Sequence, residues 1–126
     1  MSNPLRLFLD DERHPADDGH AWWIVRSAEV AIASIEANGC PMFFSFDHDL
    51  GRDKLTGFDF AKWLVQKDLD AGGEFFPSGF WYYVHSLNRE GAVNIDRFLW
   101  PYLMKHRVMP AGWKIGWDGK KTCPFS

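Results

Sequence analysis

Leu5-Arg6-Leu7-Phe8-Leu9-Asp10-Asp11-Glu12-Arg13 is an apolar run that stops abruptly in charge, and its reading decides the fold. Two later stretches repeat the design. Met42-Phe43-Phe44-Ser45-Phe46 runs into Asp47-His48-Asp49, and Phe80-Trp81-Tyr82-Tyr83-Val84 runs into His85-Ser86. Apolar runs of this length without alternation read as strands buried on both faces, which is the habit of parallel sheets. In open parallel sheets ligands bind outside the carboxyl ends of the strands. Three strand ends bearing Asp, His and Ser therefore describe one site assembled from three places in the chain.

Working outward, a second short strand is expected at Trp22–Val25, preceded by a broken segment, Asp10–Ala21, in which Pro15, Gly19 and repeated Asp disfavour a helix. Ser27 is suited to cap a helix that carries Glu29 in its first turn and ends at Asn38-Gly39. Thr56 with Asp59 three residues on forms a capping-box pattern for a second helix, stopped by Ala71-Gly72-Gly73. A third helix is expected from about Gly91, with Pro101 kinking or weakening it. Alternating Trp113, Ile115 and Trp117 before Asp118-Gly119 predict a short strand or hairpin. The order strand, strand, helix, strand, helix, strand, helix predicts an α/β fold. The expected architecture is a receiver-like (flavodoxin-type), mostly parallel sheet flanked by helices, with the first helix reduced. Residues 1–126 are expected to form one domain, with 107–126 as a basic, Trp-containing tail packing on it or extending it.

Composition narrows the classes. The 126 residues are 46% hydrophobic and 17% aromatic, enough for a real core, and no apolar stretch approaches bilayer-spanning length. The start resembles no secretion signal, and Cys40 and Cys123 lack metal-ligand spacing, so a reduced, cytoplasmic setting is expected. Charge is unevenly spread. Residues 1–88 hold seven basic and fourteen acidic side chains, a net of −7, while residues 89–126 hold seven and three, a net of +4. An acidic site beside a basic tail suits a metal-bridged anion such as a phosphate ester. Trp113 and Trp117, beside Lys114, Lys120 and Lys121, are the candidates for stacking on a nucleic-acid base. Phosphate-binding Gly-rich loops, dinucleotide fingerprints and nucleophile elbows are missing.

Crowded carboxylates repel, so Asp10, Asp11, Asp47 and Asp49 are candidate ligands of a hard divalent cation, Mg or Mn. Extended alternation would turn Asp10 and Glu12 to one side with Asp11 elsewhere, and Asp47 and Asp49 to a common side. His48 and His85 are candidate general acids or bases, with Asp47 beside them as a catalytic carboxylate. Arg13 is a candidate phosphate grip, as are Ser86 and Asn88. Arg26 and Lys54 are weaker candidates of the same kind. Each has an ordinary alternative: Arg13 pairs with a neighbouring acid, His85 satisfies backbone groups, and Ser86 or Asn88 caps a turn.

LFLDDERHP, FSFDHDLG followed by TGFDFAKWL, and YYVHSLNREGAVNI, in that order from Leu5 to Ile95, resemble the cyclic-phosphate processing receiver domain family. The resemblance implies a divergent relative of response-regulator receivers, acting on cyclic phosphates at RNA ends in repair or conflict systems. In signalling receivers, paired acids after the first strand bind Mg²⁺, matching Asp10 and Asp11. The phospho-accepting Asp matches Asp47 or Asp49, and the Ser or Thr matches Ser86. The Lys that completes the set has no clear counterpart, Lys114 being in an uncertain element, and the family's Asn-Pro after His-Ser is replaced by Leu87-Asn88-Arg89. The expected function is thus a metal-dependent phosphoesterase (a hydrolase) acting on a cyclic phosphate, an RNA 2′,3′-cyclic phosphate end or a small cyclic nucleotide. The alternatives are a non-enzymatic module that binds a phosphate ligand or partner, and, third, a phospho-accepting receiver.

Overall fold

The apolar runs offer no polar face to water, and the chain buries both of their faces. The structure, a computed structural model, describes residues 6–15, 19, 21–77 and 80–106, with the strand segments 114–115 and 121–122. In chain order the elements are β1 (Arg6–Leu9), β2 (Trp23–Val25), α1 (Ala28–Asn38), β3 (Phe43–Phe46), α2 (Gly57–Asp70), β4 (Trp81–Val84), α3 (Arg89–His106), β5 (Lys114–Ile115) and β6 (Lys121–Thr122). Strands β1 to β4 form one parallel sheet in the order β2-β1-β3-β4. That is a receiver-like α/β arrangement, and no helix joins β1 to β2 among the described residues. The tail hairpin exists as the antiparallel pair β5-β6, a separate two-stranded sheet that contains Lys114. The rest of 107–126, with Trp113 and Trp117, lies outside the described residues.

The register sorts side chains between the two faces. Leu7 and Leu9 of β1 share a face with Phe44 and Phe46 of β3, which meet Phe60 of α2 at ring-centroid distances of 5.6 and 5.5 Å. Phe8, Phe43 and Ser45 point the other way and are also buried, with Trp22 packed edge-on against both phenylalanines. Helix α2 packs against both α1 and α3, so the three helices form one layer. Tyr82 of β4 donates to Asp96 of α3 at 2.7 Å, and Trp81 meets Trp100 edge-on. Asp68, buried in α2, accepts from the amides of Phe75 and Phe76 and from the Tyr102 hydroxyl, tying the end of α2 to α3.

The helix ends follow their local chemistry. Ser27 Oγ accepts from the amide of Val30, and Gly39, at φ 95°, returns its amide to Ile35 at the end of α1. Thr56 and Asp59 form the full capping box of α2. Helix α3 starts at Arg89, two residues earlier than expected, and continues through Pro101 to His106. Proline lacks an amide hydrogen, so the helix gives up one intrahelical bond there without ending.

The strand order places the site. The chain leaves β1 towards β2 on one side, and returns from β2 to β3 on the other. Such a switch point opens a crevice between the loops that follow β1 and β3. Those loops carry the two acid clusters.

Candidate active site at the strand ends

The ladder runs one residue past the strands. Asp10 donates its amide to Val25, Asp47 to Leu9, and His85 to Phe46, at 3.0 to 3.2 Å. Asp10, Asp47 and His85 therefore stand in one row across three strands, on the face already occupied by Phe8 and Ser45. The His85 ring stacks on Phe8 with centroids 4.4 Å apart and planes 4° from parallel.

Asp10 is the hub and is only 1% exposed. Its Oδ1 accepts from the amides of Glu12 and Arg13 at 2.9 and 2.8 Å. Its Oδ2 accepts from Arg13 Nε at 2.8 Å and pairs with His85 Nε2 at 3.0 Å. Burial alone would raise this carboxyl's pKa. The two amides, His85 and the guanidinium outweigh burial and hold it below the ordinary value of 3.8. The Arg13 guanidinium continues to Asp47 Oδ2 at 3.0 Å and the His85 carbonyl at 2.9 Å. Its Nη1 has no partner among the described residues. Arg26, a weak phosphate candidate from sequence, instead braces the loop: Nη1 donates to the carbonyls of Asp10 and Arg13 at 3.0 and 2.5 Å.

His85 has both nitrogens engaged. An ionised Asp10 accepts only, so Nε2 carries the proton, and Nδ1 accepts from Ser45 Oγ at 2.7 Å. Burial pushes its pKa below 6.5, with Asp10 opposing part of the shift. As placed, His85 positions Asp10, and proton transfer to a substrate would require one of its bonds to break. Ser45 was the signal missed in the sequence. A lone hydroxyl in a buried strand needs a partner.

These groups edge a cleft of about 540 Å³ lined by Asp10, Asp11, Glu12, Asp47 and Asp49, with Arg13 and Arg52 as its cations. Arg52 lies in a loop without a motif and carried no sequence signal. One oxygen each from Asp10, Asp11 and Asp47 lie within 4.8 Å of one another. An all-carboxylate set suits a hard divalent ion. The open lone pairs belong to Asp11, which has no hydrogen-bond partner among the described residues, and to Asp47, whose Oδ1 holds only a 3.3 Å bond from the Asp49 amide. Asp10 has spent its own on four donors. The set fits a cation seated on Asp11 and Asp47, with Asp10 behind them.

Two expectations from strand alternation need correction. Asp49 is not part of the carboxylate group: its side chain is 63% exposed and pairs with His48 Nδ1 at 2.7 Å. Asp11, rather than Glu12, joins Asp10. The reason is the same in both loops. The extended conformation ends at Leu9 and Phe46, and the Asp10 and Asp47 side chains then accept amides two or three residues on, which turns the chain. Period-two alternation stops with the strand.

His48 faces elsewhere too. Its ring lies against α3, where a Cβ on Gly91 would come 2.5 Å from its Cγ. Asp49 holds Nδ1, and that bond also keeps the Asp49 pKa below its ordinary value. The lone pair on Nε2 has no partner among the described residues. Ser86 and Asn88, expected on substrate, are occupied as turn and cap: Ser86 Oγ accepts from the Asn88 amide, and Asn88 Oδ1 from the Gly91 amide. His48, His85, Ser86 and Asn88 do not line the acidic cleft.

Comparison with known proteins agrees with this geometry. A family model described as the cyclic-phosphate processing receiver domain matches residues 5–100, which covers the whole sheet, all three site loops and most of α3. No curated protein and no solved structure gives a significant match. With three-quarters of its length matched, and acids and histidine gathered at the switch point of a receiver-like sheet, this chain belongs to the cyclic-phosphate processing receiver domain family.

Proposed function

We propose that the protein is a metal-dependent phosphoesterase that opens a cyclic phosphate, either an RNA 2′,3′-cyclic phosphate end or a small cyclic nucleotide. The observation that carries this reading is the carboxylate group of Asp10, Asp11 and Asp47 beside an arginine with one nitrogen unused. Five acids against two arginines repel a phosphate. A Mg²⁺ or Mn²⁺ ion on Asp11 and Asp47 would offset most of that excess negative charge and present a local positive centre that polarises a phosphoryl oxygen. Arg13 Nη1 grips a phosphate oxygen, while Asp10 and Asp47 hold the guanidinium in place. Asp49, which lines the same cleft and whose Oδ2 has no partner among the described residues, accepts a proton from the attacking water. A water oxygen–phosphorus bond forms, one ring P–O bond breaks, and the proton passes to the leaving oxygen.

The test is an oligonucleotide ending in a 2′,3′-cyclic phosphate, incubated with Mn²⁺ or Mg²⁺ and, separately, with chelator. A metal-dependent mass gain of one water, lost in Asp47→Asn and Asp49→Asn, supports the reading. Turnover that survives the chelator removes the metal, and turnover that survives Asp49→Asn removes the base. A second reading is favoured by the pairing of Arg13 with both Asp10 and Asp47, which already offsets part of their charge without an ion. On that reading the cleft is a phosphate-binding module, and the oligonucleotide binds unchanged.

A further inference from the structure

A second cleft, about 480 Å³, lies beyond the wall of the first. Its lining is His48, Thr56, Phe58, Asn94, Arg97 and Phe98. The two clefts share Thr56, and across their wall Asp49, in the first, bonds to His48, in the second. The charge differs between them. The first is dominated by carboxylates, whereas the second has no acid in its lining and contains Arg97. The Arg97 guanidinium and the Asn94 carboxamide have no hydrogen-bond or ion-pair partner among the described residues, and His48 Nε2 is likewise open. Three unspent polar groups thus converge beside two aromatic rings, Phe58 and Phe98, whose centroids are 5.4 Å apart. Apolar walls with a few convergent polar groups are the make-up of a small-molecule site.

We propose that this second cleft is a subsite for the nucleotide adjoining the cyclic phosphate. Arg97 takes that nucleotide's phosphodiester, Asn94 hydrogen-bonds its base edge, and Phe58 and Phe98 carry the face of the base. A cation on a planar fork matches two phosphate oxygens, and aromatic side chains stack on any base. The ligand class is therefore a dinucleotide or longer chain with two phosphates, one at each cleft. The inference rests on the phosphoesterase reading for its first phosphate, but the second cleft can be tested apart from turnover.

The experiment compares a dinucleotide ending in a 2′,3′-cyclic phosphate with the corresponding nucleoside 2′,3′-cyclic phosphate, for wild type, Arg97→Gln and Arg89→Gln. Arg89 lies on the same helix outside the cleft and controls for net charge. Losing a charge-assisted bond at an exposed arginine is expected to lower kcat/KM for the dinucleotide about tenfold more than for the mononucleotide, with the loss in KM. Arg89→Gln is expected to show no such difference. Equal effects on both substrates, or the same selectivity in Arg89→Gln, overturn the subsite. Should neither substrate turn over, the phosphoesterase reading fails by itself. Calorimetric binding of the corresponding 3′-phosphorylated dinucleotide and mononucleotide then decides the subsite: a dinucleotide preference lost in Arg97→Gln upholds it, and no preference overturns it.

Discussion

Replacing Asp10 by Asn tests whether one buried carboxylate organises the site. Asn keeps an oxygen for the amides of Glu12 and Arg13, now placed at Oδ1. At the second position an amide NH₂ faces Arg13 Nε, a donor, and His85 Nε2. His85 can adapt by moving its proton to Nδ1 and donating to Ser45, but Arg13 cannot, since a guanidinium only donates. The lost charge-assisted bonds would be worth about 1.5–3 kcal/mol each if fully buried. Arg13 is 42% exposed, so its share is discounted for screening to about 1 kcal/mol. The expected destabilisation at pH 7 is about 2–3 kcal/mol, read from the urea midpoint at constant slope. The pH dependence has a definite sign. The folded pKa of Asp10 is depressed, so its stabilisation is complete above the unfolded value of 3.8 and is lost as pH falls through the folded value. A destabilisation below about 0.5 kcal/mol at pH 7 refutes the hub, as does a wild-type advantage that fails to shrink in acid.

Three further outcomes are expected. In Gly57→Ala the new Cβ would sit 2.1 Å from the Asp47 carbonyl oxygen, a backbone atom that cannot swing aside, so a loss on the order of 3 kcal/mol in urea unfolding is expected; under 1 kcal/mol would mean that the β3–α2 junction yields. Gly91→Ala drives a methyl into the His48 imidazole, so the ring's NMR signals shift and its bond to Asp49 is lost, whereas unchanged His48 resonances would contradict the packing. The half-buried, neutral His85 makes wild type lose stability as pH falls below 6.5, because the unfolded chain takes a proton that the folded one does not until its lower pKa is reached. His85→Gln should flatten that part of the stability curve, and an identical slope in both proteins would mean that another group sets it.

How much was legible in the sequence follows from the range of each interaction. The parallel sheet showed in three apolar runs, because burial on both faces leaves no polar alternation. The ends of α1 and the start of α2 showed because Ser27, Gly39 and the Thr56–Asp59 pair act within four residues of themselves. That the acids after β1 and β3 meet at one place follows from strand ends and a switch point, and the order of strands and helices already implied it.

What each acid does was decided by partners far along the chain. Arg13 reaches Asp47 across 34 positions, Ser45 reaches His85 across 40, and His85 reaches Asp10 across 75. These bonds make Asp10 a hub and leave Asp11 and Asp47 with open oxygens, while the His48–Asp49 pair keeps His48 out of the acidic cleft and Asp49 out of the carboxylate group. Strand alternation misplaced Asp49 and Glu12 because their direction depends on turns that begin where the ladder stops. The sequence by itself determined which residue types arrive at the strand ends, since hydrophobic patterning and local capping are properties of neighbours. Only the tertiary structure decided which lone pairs and protons remain available there, because hydrogen-bond saturation is a property of the assembled site.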